Sequence, residues 1–235
     1  MALLHLENVG KCYVTGGLFG GRRRVKAVDD VSLSIREGST LGLVGRSGSG
    51  KSTLGRLILG LEKPDSGRIS FMGQNLDKEL SGSFRRNMNV VFQDPMGSVN
   101  PRFTAARIIE EPLICVIGKR SERWARVEEL MEMVGLDPAD AGKHPHRFSG
   151  GQLQRICIAR AVALRPRLIV LDEAVSSLDM LVQDRIVRLL MELQEAFGMA
   201  YLFISHDIRL VRSIAHGVAV IDQGKIVDHV EHGSH

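Results

Sequence analysis

No stretch of this chain is apolar for long enough to cross a bilayer. Leu113 to Ile117 and Leu168 to Leu171 are short runs bounded by charge, proline or glycine, whereas a helical span needs about 20 apolar residues. Met1 to Gly10 lacks a basic segment followed by an apolar core, so no secretory signal is visible. Cysteine is scarce: Cys12, Cys115 and Cys157 are odd in number, widely scattered and match no metal-ligand spacing. That usage suits free thiols in a reducing compartment and gives them no function. With neither span nor signal the chain is expected to be cytosolic, and internal repeats, low-complexity tracts and long linkers are also missing, which points to one folded unit.

What is present fits a globular protein of 235 residues, 44% hydrophobic and 25% charged, long enough for a sizeable core in one α/β domain. The net charge of +4 is mildly basic, and its densest run, Arg22-Arg23-Arg24 beside Gly20-Gly21, reads first as a solvated loop, with a membrane-surface or nucleic-acid contact as the alternative. Val28 to Ile35 and Arg68 to Met72 alternate as strands of an antiparallel sheet. From about Met96 to Phe148 the pattern turns helical, with Trp124, Val127, Leu130, Met131 and Val134 on one face, a core stripe by default. Beyond Gly150 a helix, the strand Leu168 to Leu171, a helix through Val182 to Phe197 and the strand Tyr201 to Ile204 alternate as in a parallel sheet. Val218 to Ile221 and Lys225 to Val230 then form a hairpin about Asp222-Gln223-Gly224.

Between the apolar run Leu41, Leu43, Val44 and the amphipathic run Leu54, Leu57, Ile58, Leu61 lies Gly45-Arg46-Ser47-Gly48-Ser49-Gly50-Lys51-Ser52-Thr53. This is G-x-x-x-x-G-K-[ST] in its strand–loop–helix setting: backbone amides and a helix start surround phosphates, the lysine reaches the β and γ phosphates, and the hydroxyl ligates Mg²⁺. The chain is thus expected to bind a nucleoside triphosphate. A second chemical centre follows the buried strand 168–171, where Asp172 and Glu173 stand at the strand end that binds ligands in open α/β sheets. Successive strand residues face opposite ways, so Asp172 is assigned to the Mg²⁺ shell and Glu173 to orienting and deprotonating the attacking water.

Phe148-Ser149-Gly150-Gly151-Gln152, upstream of Asp172, resembles the signature motif of ATP-binding-cassette (ABC) ATPases. Gln93 in Val91-Phe92-Gln93-Asp94-Pro95 resembles that family's Q-loop, Ser177-Leu178-Asp179 its D-loop, and His206 in Ile204-Ser205-His206-Asp207 its switch histidine. The resemblance covers nearly the whole chain. It implies a fold of class α/β: a P-loop NTPase core with a mainly parallel sheet, an N-terminal antiparallel β subdomain and an inserted α-helical subdomain at about 96–150, all within a single domain, 1–235. It further implies ATP and Mg²⁺ as cofactors, with Ser52, Gln93 and Asp172 around the metal, and Glu173, His206 and Gln93 as the catalytic set. Ser149, Gly150, Gly151 and Gln152 would serve ATP held by a partner cassette, with Asp179 beside them. Taken alone, Ser149 is as readily a helix N-cap and Gly150-Gly151 a turn. Tyr13 resembles the residue that stacks on adenine, and a core tyrosine is an equal reading.

The stretch Gln93 to Arg102 resembles the extended Q-loop of ATPases from peptide and nickel importers, and Gly151 to Arg155 with Leu171 to Ser176 leans toward the nickel branch. The implied partners are a second ABC ATPase subunit, identical or related, two membrane permease subunits and, indirectly, a solute-binding protein. Nucleic acid is not among them. The implied location is the cytoplasmic side of the cell membrane, as a peripheral subunit. Soluble ABC ATPases of DNA or ribosomes resemble tandem cassettes or carry long coiled-coil insertions, and an exporter ATPase would share every catalytic motif but not this Q-loop. Nickel, a metal chelate and a short peptide all stay open as cargo. Members of this group usually continue past the final hairpin, where this sequence reads His232-Gly233-Ser234-His235; every catalytic motif lies upstream.

Overall fold

The structure, a computed structural model, describes residues 2–15, 23–76 and 82–231. It comprises two compact units, residues 1–85 with 200–235, and residues 86–199. The first opens with two long strands, β1 (Ala2–Thr15) and β2 (Arg23–Arg36), followed by β3 (Thr40–Val44), helix α1 (Lys51–Ile58), β4 (Ser66–Phe71), β5 (Gln74–Asn75) and the short α2 (Gly82–Arg85). Alternation dictates the first sheet: Leu4 is paired with Ile35 and Phe71, and Leu6 with Leu33 and Ile69, all buried on one face. The sheet is antiparallel in the order β2-β1-β4-β5.

The second unit holds β6 (Met88–Phe92), α3 (Ala105–Glu110), α4 (Arg120–Met133), α5 (Gly150–Val162), β7 (Leu168–Asp172) and α6 (Met180–Phe197). Strands β6 and β7 run parallel, with Phe92 opposite Asp172. Between Ala105 and Arg147 the described residues form only α- and 3-10 helices. The chain then returns to the first unit as β8 (Ala200–Ser205), α7 (Ile208–Ile214), β9 (Gly217–Asp222) and β10 (Lys225–Glu231). There the order is β10-β9-β3-β8, with β3 parallel to both β8 and β9 and only the terminal hairpin antiparallel. Strand β8 is buried at every position, as expected of a parallel strand covered on both faces.

The α/β class and its antiparallel and parallel parts are as expected from the sequence, but several local readings change. Strand β2 begins earlier than Val28, and neither β1 nor β6 was foreseen. Their apolar residues were hidden by β-bulges in the first case and by brevity in the second. Arg23 and Arg24 belong to β2, with Arg24 exposed, instead of to a loop; Gly20, Gly21, Arg22 and residues 232–235 lie outside the described residues. The helix stripe is buried at Val127, Leu130, Met131 and Val134, but Trp124 is 46% exposed. Its indole donates to Glu128 at 2.8 Å and lines a cavity of about 460 Å³ with Thr104, Arg107 and Arg123, because burial along α4 begins only at Val127, about two turns from the helix start. No helix among the described residues is long and apolar enough to cross a membrane.

Candidate functional site

In the first unit the glycine loop leaves β3 at Val44, which pairs with Ser205 of β8, so Gly45 and His206 are the next residues beyond adjacent parallel strand ends. The loop enters α1 through Gly50, whose backbone is left-handed at φ +109; a Cβ there would lie 2.2 Å from the Ala27 carbonyl oxygen. Only glycine satisfies both the angle and the approach. The N-cap Gly50 makes no side-chain cap hydrogen bond and no acid occupies the first turn, so the dipole of this helix start favours an anion. Lys51 is 5% exposed, its Nζ donating to the Gly45 and Arg46 carbonyls at 2.7 and 2.9 Å, so the ammonium lies against the loop. Beneath it the Ser49 hydroxyl is buried without a hydrogen-bond partner among the described residues. The loop is tied down by Gly224 N–H donating to Ser49 O and Asp29 N–H donating to Gly224 O, at 2.9 and 2.8 Å.

Tyr13, in β1, belongs to the same unit. Its hydroxyl donates to the Glu62 carboxylate, which also accepts from Arg56 at 3.2 Å. Burial first, and then the Glu62 hydrogen bond, push the phenol pKa up, while the Thr53 hydroxyl beside it acts in the opposite direction. Glu62 carried no sequence signal, being one acid in a polar turn after α1. His206 is exposed, and the following Asp207 caps α7 by accepting from Arg209 N–H at 2.9 Å. The Arg209 guanidinium and that amide hold the Asp207 carboxyl below its ordinary range.

The second unit gathers the remaining candidates. Because Phe92 is registered with Asp172, Gln93 and Glu173 emerge side by side from neighbouring strands. Glu173 has φ +50, a left-handed backbone that is uncommon outside glycine, held by Ser176 donating through both N–H and hydroxyl to the Glu173 carbonyl. Ser177 Oγ lies 3.5 Å from the Gln93 carbonyl, so the segment before Asp179 reaches the Gln93 loop. That loop is strapped to α5: Gln154 donates to Phe92 O at 3.4 Å and Arg160 to Ser98 O at 2.8 Å, while Cys157 packs beneath. Burial pushes the Cys157 thiol up, keeping it an unreactive packing group.

Ser149 is the N-cap of α5 in a full capping box: its hydroxyl accepts from Gln152 N–H at 3.3 Å, and Gln152 Oε1 accepts from Ser149 N–H at 2.9 Å. The capping role weighed for Ser149 is therefore real. Gly151 has a structural task too, since a Cβ would lie 2.6 Å from Val182 Cγ1 on α6. Asp179 caps α6, accepting from Val182 N–H at 3.1 Å.

The family model described as ABC transporter matches residues 28–176. The chain is 45% identical over 232 residues to the nickel import ATP-binding protein NikE of Shigella dysenteriae serotype 1 (strain Sd197) and of Escherichia coli (strain K12), covering 97% of this chain and 87% of each relative. Among solved structures it is similar to the dimeric, post-hydrolysis ATP-binding cassette MJ0796 bound to ADP and Pi, with TM-score 0.86 and 30% identity over 99% of this chain and all of that one. It is also similar to cbiO1 from Clostridium perfringens, part of the ABC transporter complex cbiONQ, with TM-score 0.83 and 26% identity over 98% of this chain and 88% of that one.

Proposed function

The chain belongs to the ABC transporter family, and from that premise we propose that it is the ATP-hydrolysing subunit of an importer whose permeases are separate chains, with nickel as the cargo. The observation that carries the reading is the uncapped start of α1, framed by Gly50 and the buried ammonium of Lys51, which fits the triphosphate of a nucleotide. Lys51 and the loop amides bind the β and γ phosphates, and Tyr13 receives the base. Ser52, Gln93 and Asp172 supply hydroxyl, amide and carboxylate oxygens, the hard donor set that Mg²⁺ prefers. When bound, that ion supplies charge neutralisation on the phosphates. Glu173 orients the attacking water and takes its proton, and His206 contacts the γ-phosphate.

The Gly150 and Gly151 amides at the start of α5 serve the nucleotide of a second cassette, whether a copy of this chain or a related one. Dimeric packing in the MJ0796 cassette supports that reading. The cargo assignment is supported by the NikE relatives. The work is done at the cytoplasmic face, as a peripheral subunit, and a solute-binding protein delivers cargo to the permeases.

The test is reconstitution with its two permeases and second cassette in vesicles. Nickel uptake that requires Mg²⁺ and ATP, and stops with Lys51→Ala, is the expected result. Peptide-driven turnover without nickel uptake would move the cargo to the peptide branch, and ATP-independent behaviour would remove the ATPase reading.

A further inference from the structure

Tyr13 is fastened more firmly than a half-exposed strand residue requires. Its hydroxyl is taken by Glu62, and Glu62 is in turn paired with Arg56 of α1. The Thr53 hydroxyl, in the first turn of α1, also lies beside the phenol. Over the ring, 5.9 Å from its centroid, lies the Lys11 ammonium, itself anchored on Lys63 O at 2.7 Å and Asp65 Oδ1 at 3.2 Å. The ring is therefore tied at its hydroxyl to the helix that begins at the phosphate loop, with an anchored cation over its face.

We propose that Glu62 is a positioning residue for base recognition: by accepting the Tyr13 hydroxyl while paired with Arg56, it orders the phenol ring as a stacking platform for the purine of the bound nucleotide. The inference rests on the reading of Tyr13 as the base contact. Stacking gains affinity when the aromatic group is ordered in advance, because less rotamer freedom is lost on binding. Glu62 touches neither phosphate nor reacting atoms in this scheme, so its removal should be felt through the base alone.

The experiment compares equilibrium binding of ATP and of inorganic tripolyphosphate, which has no base, to wild type and variants. Glu62→Ala and Tyr13→Phe should each weaken ATP binding about five-fold, the scale of one lost hydrogen bond. The double variant should be no weaker than either single one. Glu62→Gln, whose amide oxygen still accepts the phenol hydrogen, should stay close to wild type, and tripolyphosphate binding should be unchanged throughout. Equal losses for tripolyphosphate, additive losses in the double variant, unchanged ATP affinity or tighter ATP binding in Glu62→Ala would each overturn the proposal. Tyr13→Ala separates the two levels. If it weakens ATP binding and Glu62→Ala does not, only the positioning role is lost. If it leaves ATP binding intact while Lys51→Ala removes it, the base contact itself lies elsewhere and the proposal falls with it.

Discussion

The starts of α1 and α5 both carry glycine, Gly50 as the N-cap of α1 and Gly150-Gly151 as the first residues of α5, and both have an acid-free first turn, yet they are capped differently. At α1 the N-cap is Gly50, which makes no side-chain cap hydrogen bond, and the Lys51 ammonium lies against the loop. At α5 the chain satisfies itself: Ser149 and Gln152 exchange hydrogen bonds, leaving the Gly150 and Gly151 amides to whatever approaches. An uncapped helix start costs stability that a tightly held ligand can offset, whereas a capped one keeps its shape with nothing bound. The difference suits the proposed division of labour. In that proposal the α1 loop would hold nucleotide through the cycle, and the α5 start would stay formed while it waits for the nucleotide of another cassette.

The largest expected effect separates chemistry from binding. Glu173→Gln should lower steady-state phosphate release about a hundred-fold or more, by loss of the general base, while ATP affinity holds. Near-normal turnover in that variant would remove Glu173 from the mechanism. Lys51→Ala should act on the α1 start alone and weaken ATP binding about ten-fold or more, the loss of a charge-assisted contact to phosphate. Wild-type affinity by titration would mean that the loop does not hold the triphosphate.

At the α5 start the better probe is Gly150→Asp and not Gly151→Asp. A Cβ on Gly151 would press on Val182, whereas one on Gly150 meets Leu178 Cδ2 at an ordinary 3.5 Å. In a Glu173→Gln background Gly150→Asp should suppress ATP-driven association of cassettes, read by sedimentation, while ATP binding to the single chain is retained. Undiminished association would break the comparison, leaving α5 a merely structural helix.

Two serines sharpen it further. Ser149→Ala removes the capping box and should cost about 1 kcal/mol of unfolding free energy. Ser49→Ala removes a buried hydroxyl with no hydrogen-bond partner among the described residues and should be neutral or stabilising in the same denaturant titration. Equal losses at the two sites would contradict the assigned roles.

The smallest effect is a pH dependence in the helical part of the second unit. Arg123, donating to Glu110 at 2.7 Å, and then Arg107 hold that carboxyl below its ordinary range. A depressed folded-state pKa contributes stability that is present above the ordinary glutamate range and lost as the pH falls through the lower folded value. Glu110→Gln should therefore flatten the acid side of the stability profile slightly, and an unchanged profile would show the pair to be inert.

Much of the candidate site was legible because its parts are local. A glycine loop between a strand and a helix, a carboxylate pair ending an apolar strand and a serine before two glycines are each written within a few neighbouring residues. The double duty of Gly151 was not legible, since Val182 lies on a different helix. Nor was the exposure of Trp124, because a helix stripe gives a direction and does not say how far along the axis the core extends.

By itself the chain of residues determined the order of motifs, the α/β class and which backbone segments could approach an anion, since these follow from periodicity and from the angles that Gly50 alone allows. Only the tertiary structure decided that Gln93 and Glu173 leave adjacent strands together, that Cys157 and Arg160 secure the Gln93 loop, and that Tyr13 is tied through Glu62 to α1. Those contacts join residues tens of positions apart, and their existence depends on strand register and helix packing, which no local pattern encodes.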